Sequence, residues 1–199
     1  MRSVRSSVLT NTEPLGSNGT GALPIVTRKE VSRILGDVNG VALSTLGLVT
    51  KRLYMFPFQT PKMFKANKVK ISVTSQGSNS GVSVGIYNNT KLTNGSDNPG
   101  DLLDSVDTLI TTSTGDKEAV IDFSFNKDML YWVAVLCYGA PTIRALPPAA
   151  IYPYLGRVAN STAIYTHLYK SLTNSVLPAI APTDLTINTG NIPAVYISE

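Results

Sequence analysis

Residues 130–138 read LYWVAVLCY, a run with no charged side chain and with apolar groups at both odd and even positions. A strand sends successive side chains to opposite faces, so this segment must bury both of its faces. That is the pattern of a central strand, or of one whose outer face meets a partner. The runs around it alternate instead. Val69, Ile71 and Val73 are separated by Lys70 and Ser72, and Val82, Val84 and Ile86 repeat the period ahead of an expected turn at Asn88 and Asn89. Residues 105–111 make a further strand, and Ala119, Ile121, Phe123 and Phe125 alternate with Val120, Asp122 and Ser124. Clusters of turn-forming residues separate these runs: GSNSG at 77–81, NGSDNPGD at 94–101 and STGD at 113–116. Short strands at this spacing predict an all-β chain, an antiparallel jelly-roll-like β-sandwich.

The two ends read differently. Residues 1–42 form an extended N-terminal arm rich in Gly, Ser, Thr, Asn and Pro, with no lasting hydrophobic period. Its sequence admits one short helix over 27–36, with Thr27 as N-cap, Glu30 as the capping-box acid and Val31, Ile34 and Leu35 as an apolar stripe. A helix of about ten residues does not hold alone and must dock on something. Residues 43–199 hold the sandwich and a C-terminal extension. In that extension Pro147, Pro148 and Pro153 interrupt any strand. Residues 163–172 suit a strand or a short helix, and Leu185, Ile187 and residues 195–197 return a last strand.

Composition narrows the chemistry. Charged residues are 15% of the 199, against about 25% in an average soluble domain. No apolar run approaches the roughly 18 residues that span a bilayer, and the first residues, MRSVRSSVLTNTEPLG, lack the apolar core of a secretory signal. One cysteine, Cys137, cannot form an internal disulfide, and with one histidine, His167, it cannot build a zinc site of the usual kind. The alternating YTHLY around His167 reads as a half-exposed strand with a structural histidine. Cys137, inside the most apolar run, reads as a small buried hydrophobe.

No G-x-S-x-G, P-loop or G-x-G-x-x-G is present. Asp97, Asp101, Asp104 and Asp107 crowd one region, and residues 94–98 faintly resemble a calcium loop without its D-x-D-x-D-G order or its distal glutamate. The expectation is therefore no catalytic residue, no cofactor and no metal. Four N-x-S/T sequences, at Asn18, Asn88, Asn94 and Asn160, read as accidents of an Asn- and Ser-rich composition.

The net charge of +4 is mild, but its distribution is uneven. Lys51, Arg52, Lys62, Lys65, Lys68 and Lys70 interleave with Tyr54, Phe56, Phe58 and Phe64. This superficially resembles a single-strand nucleic-acid platform. In a sandwich the aromatics belong to the core and the lysines to its wet side, so neither nucleic acid nor membrane is an expected partner. A basic flank and an acidic 97–128 region point to complementary contacts between copies or with another subunit.

Residues 53–146 resemble β-sandwich modules of tailed-bacteriophage virion proteins. The segments that carry the likeness are LYMFPFQTPKMFKANKVKISVTSQG, VSVGIYNN, NPGDLLDSVDT, STGDKEAVIDFSF and MLYWVAVLCYGAPTIRAL, in that order. The resemblance covers about half of the chain and carries no catalytic residue with it. It implies a non-enzymatic virion structural protein, assembled in the host cytoplasm. Most simply this is a capsid cement or decoration protein, a homo-oligomer, with a trimer favoured, bound to the major capsid protein or other virion subunits. Val8, Leu9, Leu23, Ile25 and Val26, with Arg28, Lys29 and Arg33, would then be the arm's contacts in coat grooves. The alternative is a tail or fibre component that binds host glycan by stacking sugars on Tyr152, Tyr154, Tyr165 and Tyr169.

Overall fold

The computed structural model describes residues 33–34, 42–151, 153–156 and 159–199. In chain order the strands are β1 (Arg33–Ile34), β2 (Ser44–Gly47), β3 (Arg52–Gln59), β4 (Phe64–Ser75), β5 (Gly81–Lys91), β6 (Asp97–Ile110) and β7 (Gly115–Phe125). They continue with β8 (Leu130–Tyr138), β9 (Thr142–Leu146), β10 (His167–Ser171), β11 (Thr186–Asn188), β12 (Ile192–Pro193) and β13 (Tyr196–Ser198). A 3₁₀ turn, Pro148–Ala150, follows β9 where the prolines stop it.

Two antiparallel sheets result, an arrangement compatible with a β-sandwich. One has the order β11-β10-β3-β8-β5-β6. The other runs β1-β13-β4-β9-β12, with β2 on β9 and β7 on the far side of β4. Between the sheets lies one continuous core. Val69, Ile71 and Ile143 from one sheet meet Phe56, Val84, Val133 and Val135 from the other, all essentially inaccessible.

β8 is central, between β3 and β5, and both of its faces are buried for two different reasons. Tyr131, Val133, Val135 and Cys137 point into the inter-sheet core. Trp132, Ala134 and Leu136 point the other way, into a second cluster with Leu53, Met55 and Tyr87. The chain itself covers that outer face. Residues 172–185 run back across it as a strap, seating Leu177 and Ala181, with Leu172 and Leu185 packed alongside. The strap is fastened by Tyr87 Oη donating to Pro178 O (2.7 Å), Leu102 N to Ala179 O (2.9 Å) and Ala181 N to Gly100 O (2.8 Å).

In β4 the register shifts between Ala66 and Lys68 against β7. The alternation changes phase there, so that Phe64 and Ala66, then Val69, Ile71 and Val73, all face the core.

Several expectations need correction. Arg33 and Ile34 are extended and pair with Ile197 and Tyr196, so the helix expected over 27–36 does not run through them; the rest of that span lies outside the described residues. Asn88 and Asn89 are not a turn. β5 continues to Lys91, and the reversal comes at 92–96, where Leu92 N donates to Ser96 O (2.9 Å) and Gly95 adopts φ 81°. Residues 97–101, expected as turn, begin β6. Asparagine tolerates this because its amide finds partners across the strand pair: Asn88 Oδ1 accepts from Asp101 N (2.7 Å). Of the two options for 163–172, the strand is formed, at β10.

Candidate functional site

His167 begins β10 and is buried, 2% exposed, rather than half-exposed. Thr166 Oγ1 lies 2.6 Å from Gly190 O, 3.3 Å from Asn188 O and 2.9 Å from His167 Nδ1. Carbonyl oxygens only accept, so the one hydroxyl proton goes to them, and the imidazole must carry its proton on Nδ1 to donate to Thr166. Nε2 is left as a lone pair, buried and without a hydrogen-bond partner among the described residues. Burial, and after it the Arg52 guanidinium, push the imidazole down to about 4. The Thr166 proton is committed, so this pair is not a nucleophile and its base.

Around it lie the Tyr54 ring at 5.7 Å and the Tyr169 ring at 6.3 Å, with the Arg52 guanidinium 4.8 Å above the Tyr169 ring. Arg52 Nε is buried and also has no hydrogen-bond partner among the described residues.

Cys137 is buried and donates to Val49 O (3.2 Å). Burial pushes its thiol up to about 11, so at neutral pH it is neither thiolate nor nucleophile. Trp132 is fully buried, with Nε1 donating to Asn89 Oδ1 (3.0 Å).

Asp97 and Asp101 serve the β5–β6 pairing. Asp97 accepts from Lys91 (2.7 Å) and Asn89 (2.5 Å), which hold its carboxyl below the usual range. Asp101 accepts from Asn88 (3.2 Å), and Asp104 accepts from Ser105 N (2.8 Å). Among the described residues no group of three or more His, Cys, Asp or Glu could hold a metal ion.

The basic residues of β4 find their acids within the chain. Lys65 pairs with Asp122 (2.7 Å), Lys68 with Glu118 (3.0 Å) and Lys70 with Asp116 (3.1 Å). Each reaches the residue two positions diagonal from its direct cross-strand partner on β7. Of the charges expected to join copies or another subunit, these three lysines and their acids meet across β4 and β7 of one molecule.

Of the four tyrosines, Tyr154 is 39% exposed, Tyr165 and Tyr169 are half-buried, and Tyr152 lies outside the described residues. Tyr169 has one face taken by Arg52. Val8, Leu9, Leu23, Ile25, Val26, Arg28 and Lys29 also lie outside the described residues, whereas Arg33 enters β1 opposite Ile197.

One surface was not singled out from the sequence. β6 and β7 each form one edge of their sheet, and they run side by side with an open groove of about 470 Å³ between them, lined by Thr108, Ile110, Asp116, Lys117, Glu118 and Ala119. Ile110 is 53% exposed, and Val120, on β7 nearby, is 78% exposed. The signal was present in GDKEAVIDFSF, where Val120 takes an outward position between the charged Glu118 and Asp122. Comparison with known proteins finds no matching family model, no matching curated protein and no matching solved structure.

Proposed function

We propose that this chain is a bacteriophage virion structural protein of the capsid cement or decoration kind. In this reading a jelly-roll-like β-sandwich sits on the shell, as a homotrimer. It binds the major capsid protein through the N-terminal arm and the open edge of the sandwich. The observation that carries the reading is the β6–β7 side: two long edge strands, an open groove and the exposed Ile110 and Val120 leave that side suited to a neighbouring chain. The resemblance of residues 53–146 to phage virion modules supplies the context.

The deciding experiment is quantitative mass spectrometry of purified particles against the major coat protein. Copies on the order of hundreds per particle are expected for a shell-covering cement. A count of about six to eighteen would instead place the chain at the tail or portal, and absence from particles would overturn both virion readings. Deleting residues 1–26 is expected to leave a folded chain that attaches weakly.

The tail or fibre reading, with a glycan-binding sandwich, has one observation in its favour, the 39% exposed Tyr154. The Arg52 guanidinium over Tyr169 weighs against a continuous tyrosine platform.

A further inference from the structure

The six-stranded sheet ends in its least supported part. Among the described residues β11 pairs only with β10, over three residues, and β10 pairs onward with β3 over four. His167 stands at this junction, opposite Asn188 of β11. Its neighbour Thr166 ties β10 to the 188–190 segment through Thr166 N to Asn188 O (2.8 Å) and Thr166 Oγ1 to Gly190 O (2.6 Å). The hydroxyl that makes the second bond also receives His167 Nδ1–H. The imidazole's remaining nitrogen is buried, with no hydrogen-bond partner among the described residues. A second proton would therefore create an N–H that the closed structure cannot satisfy, and would add a positive charge beside Arg52.

The groups around the ring do not offset that charge. β3 contributes Arg52, which repels it, and Tyr54, a neutral phenol kept protonated by burial. On β10 itself Tyr169 turns a ring face to Arg52, and Lys170 is engaged with Asp184. β11 contributes Thr186, Ile187 and Asn188, none of them ionisable. On β8, Cys137 remains a thiol.

We propose that His167 is a proton-operated latch: its protonation opens the β10–β11 edge and unpairs the β3 side of the six-stranded sheet, while the inter-sheet core stays closed. The inference does not rest on the virion assignment. It follows from where the lone pair is placed and from the asymmetry of the sheet. β8 is held by seven registered partners on β3 and eight on β5, so β10–β11 separates first.

The test is hydrogen exchange by mass spectrometry on the full chain at about pH 7 and about pH 5, corrected for the chemical exchange rate. An open edge protonates His167 near 6.5 and the closed one near 4. Opening of 167–171 and 186–188 is therefore expected to rise roughly 20-fold between the two conditions. Residues 130–138 should not change, and His167→Gln, which takes no proton, should abolish the rise. An equal rise in His167→Gln, or a parallel rise in 130–138, overturns the latch.

Nitrogen NMR of the wild-type imidazole gives a second readout that needs no variant. A proton on Nδ1 at neutral pH and no titration until about pH 4 are expected. An Nε2–H ring, or one titrating near its ordinary value, overturns the proposal.

Discussion

Trp132 Nε1 donates to Asn89 Oδ1 at 3.0 Å, and the same asparagine donates through Nδ2 to Asp97 Oδ1 at 2.5 Å. One amide thus joins the central strand β8 to the far end of β6 through β5. It also explains why an asparagine pair that reads as a turn is held in a strand.

Trp132→Ala should destabilise the fold by about 3–5 kcal/mol, the cost of a large cavity in a closed cluster. Asn89→Ala should cost about 1–3 kcal/mol, because it leaves a buried indole N–H without an acceptor. Urea unfolding followed by circular dichroism checks both. A negligible Trp132→Ala effect would contradict the burial of its ring.

Gly85 faces the strap, where an added Cβ would meet Leu102 Cδ1 and Leu177 Cδ1, each at 3.0 Å. Gly85→Val should therefore lift residues 172–185 from the sheet. Limited proteolysis is expected to cut within that segment faster than in the wild type, with a stability loss of about 1–3 kcal/mol from overpacking.

The Lys68–Glu118 pair is half-exposed at both ends, 51% and 56%. Exposed pairs contribute little, so a double-alanine cycle should return a coupling of about 0.2–1 kcal/mol, shrinking as salt is added. A coupling of several kcal/mol would mean that these charges act as a cooperative network along β4 and β7.

Stability should fall as pH drops from about 6.5 toward about 4. The folded imidazole of His167 is held near 4, whereas the unfolded one protonates near 6.5. Protons therefore bind the unfolded chain first, and the stability present above 6.5 is lost on acidification. The full effect is about 3 kcal/mol. Thermal melts across that window should show the fall in the wild type and not in His167→Gln.

Cys137 should resist a thiol reagent in the native state, reacting only as fast as the protein unfolds, since it is buried and its thiol stays protonated at neutral pH. Rapid labelling without loss of structure would mean that the Val49 side of β8 opens locally.

Much of the strand content was legible in the residues. The alternation at Val69, Ile71 and Val73 and at Ile121, Phe123 and Phe125 appears as core-facing positions of β4 and β7, and the double-faced run at 130–138 is the central strand. Asn88, Asn89 and the 97–101 segment read as turns and fold as strand. Turn propensity is a local preference, and the cross-strand amide bonds that override it come from residues that meet only in the folded sheet. His167 was misplaced for a similar reason: the alternation around it suits a half-exposed strand, and the burial comes from Tyr54, Arg52 and β11, which arrive from elsewhere in the chain.

The sequence by itself determined the strands around 69–73, 82–86, 119–125 and 130–138 and which of their faces had to be buried, because side-chain alternation is written into the backbone at each residue. Only the tertiary structure decided what covers each face. It laid 172–185 over Trp132 rather than leaving that face for a partner, and it gave the lysines of β4 their acids on β7. It also set two edge strands side by side at β6 and β7. Those outcomes depend on contacts between residues far apart in the chain, which no local periodicity encodes.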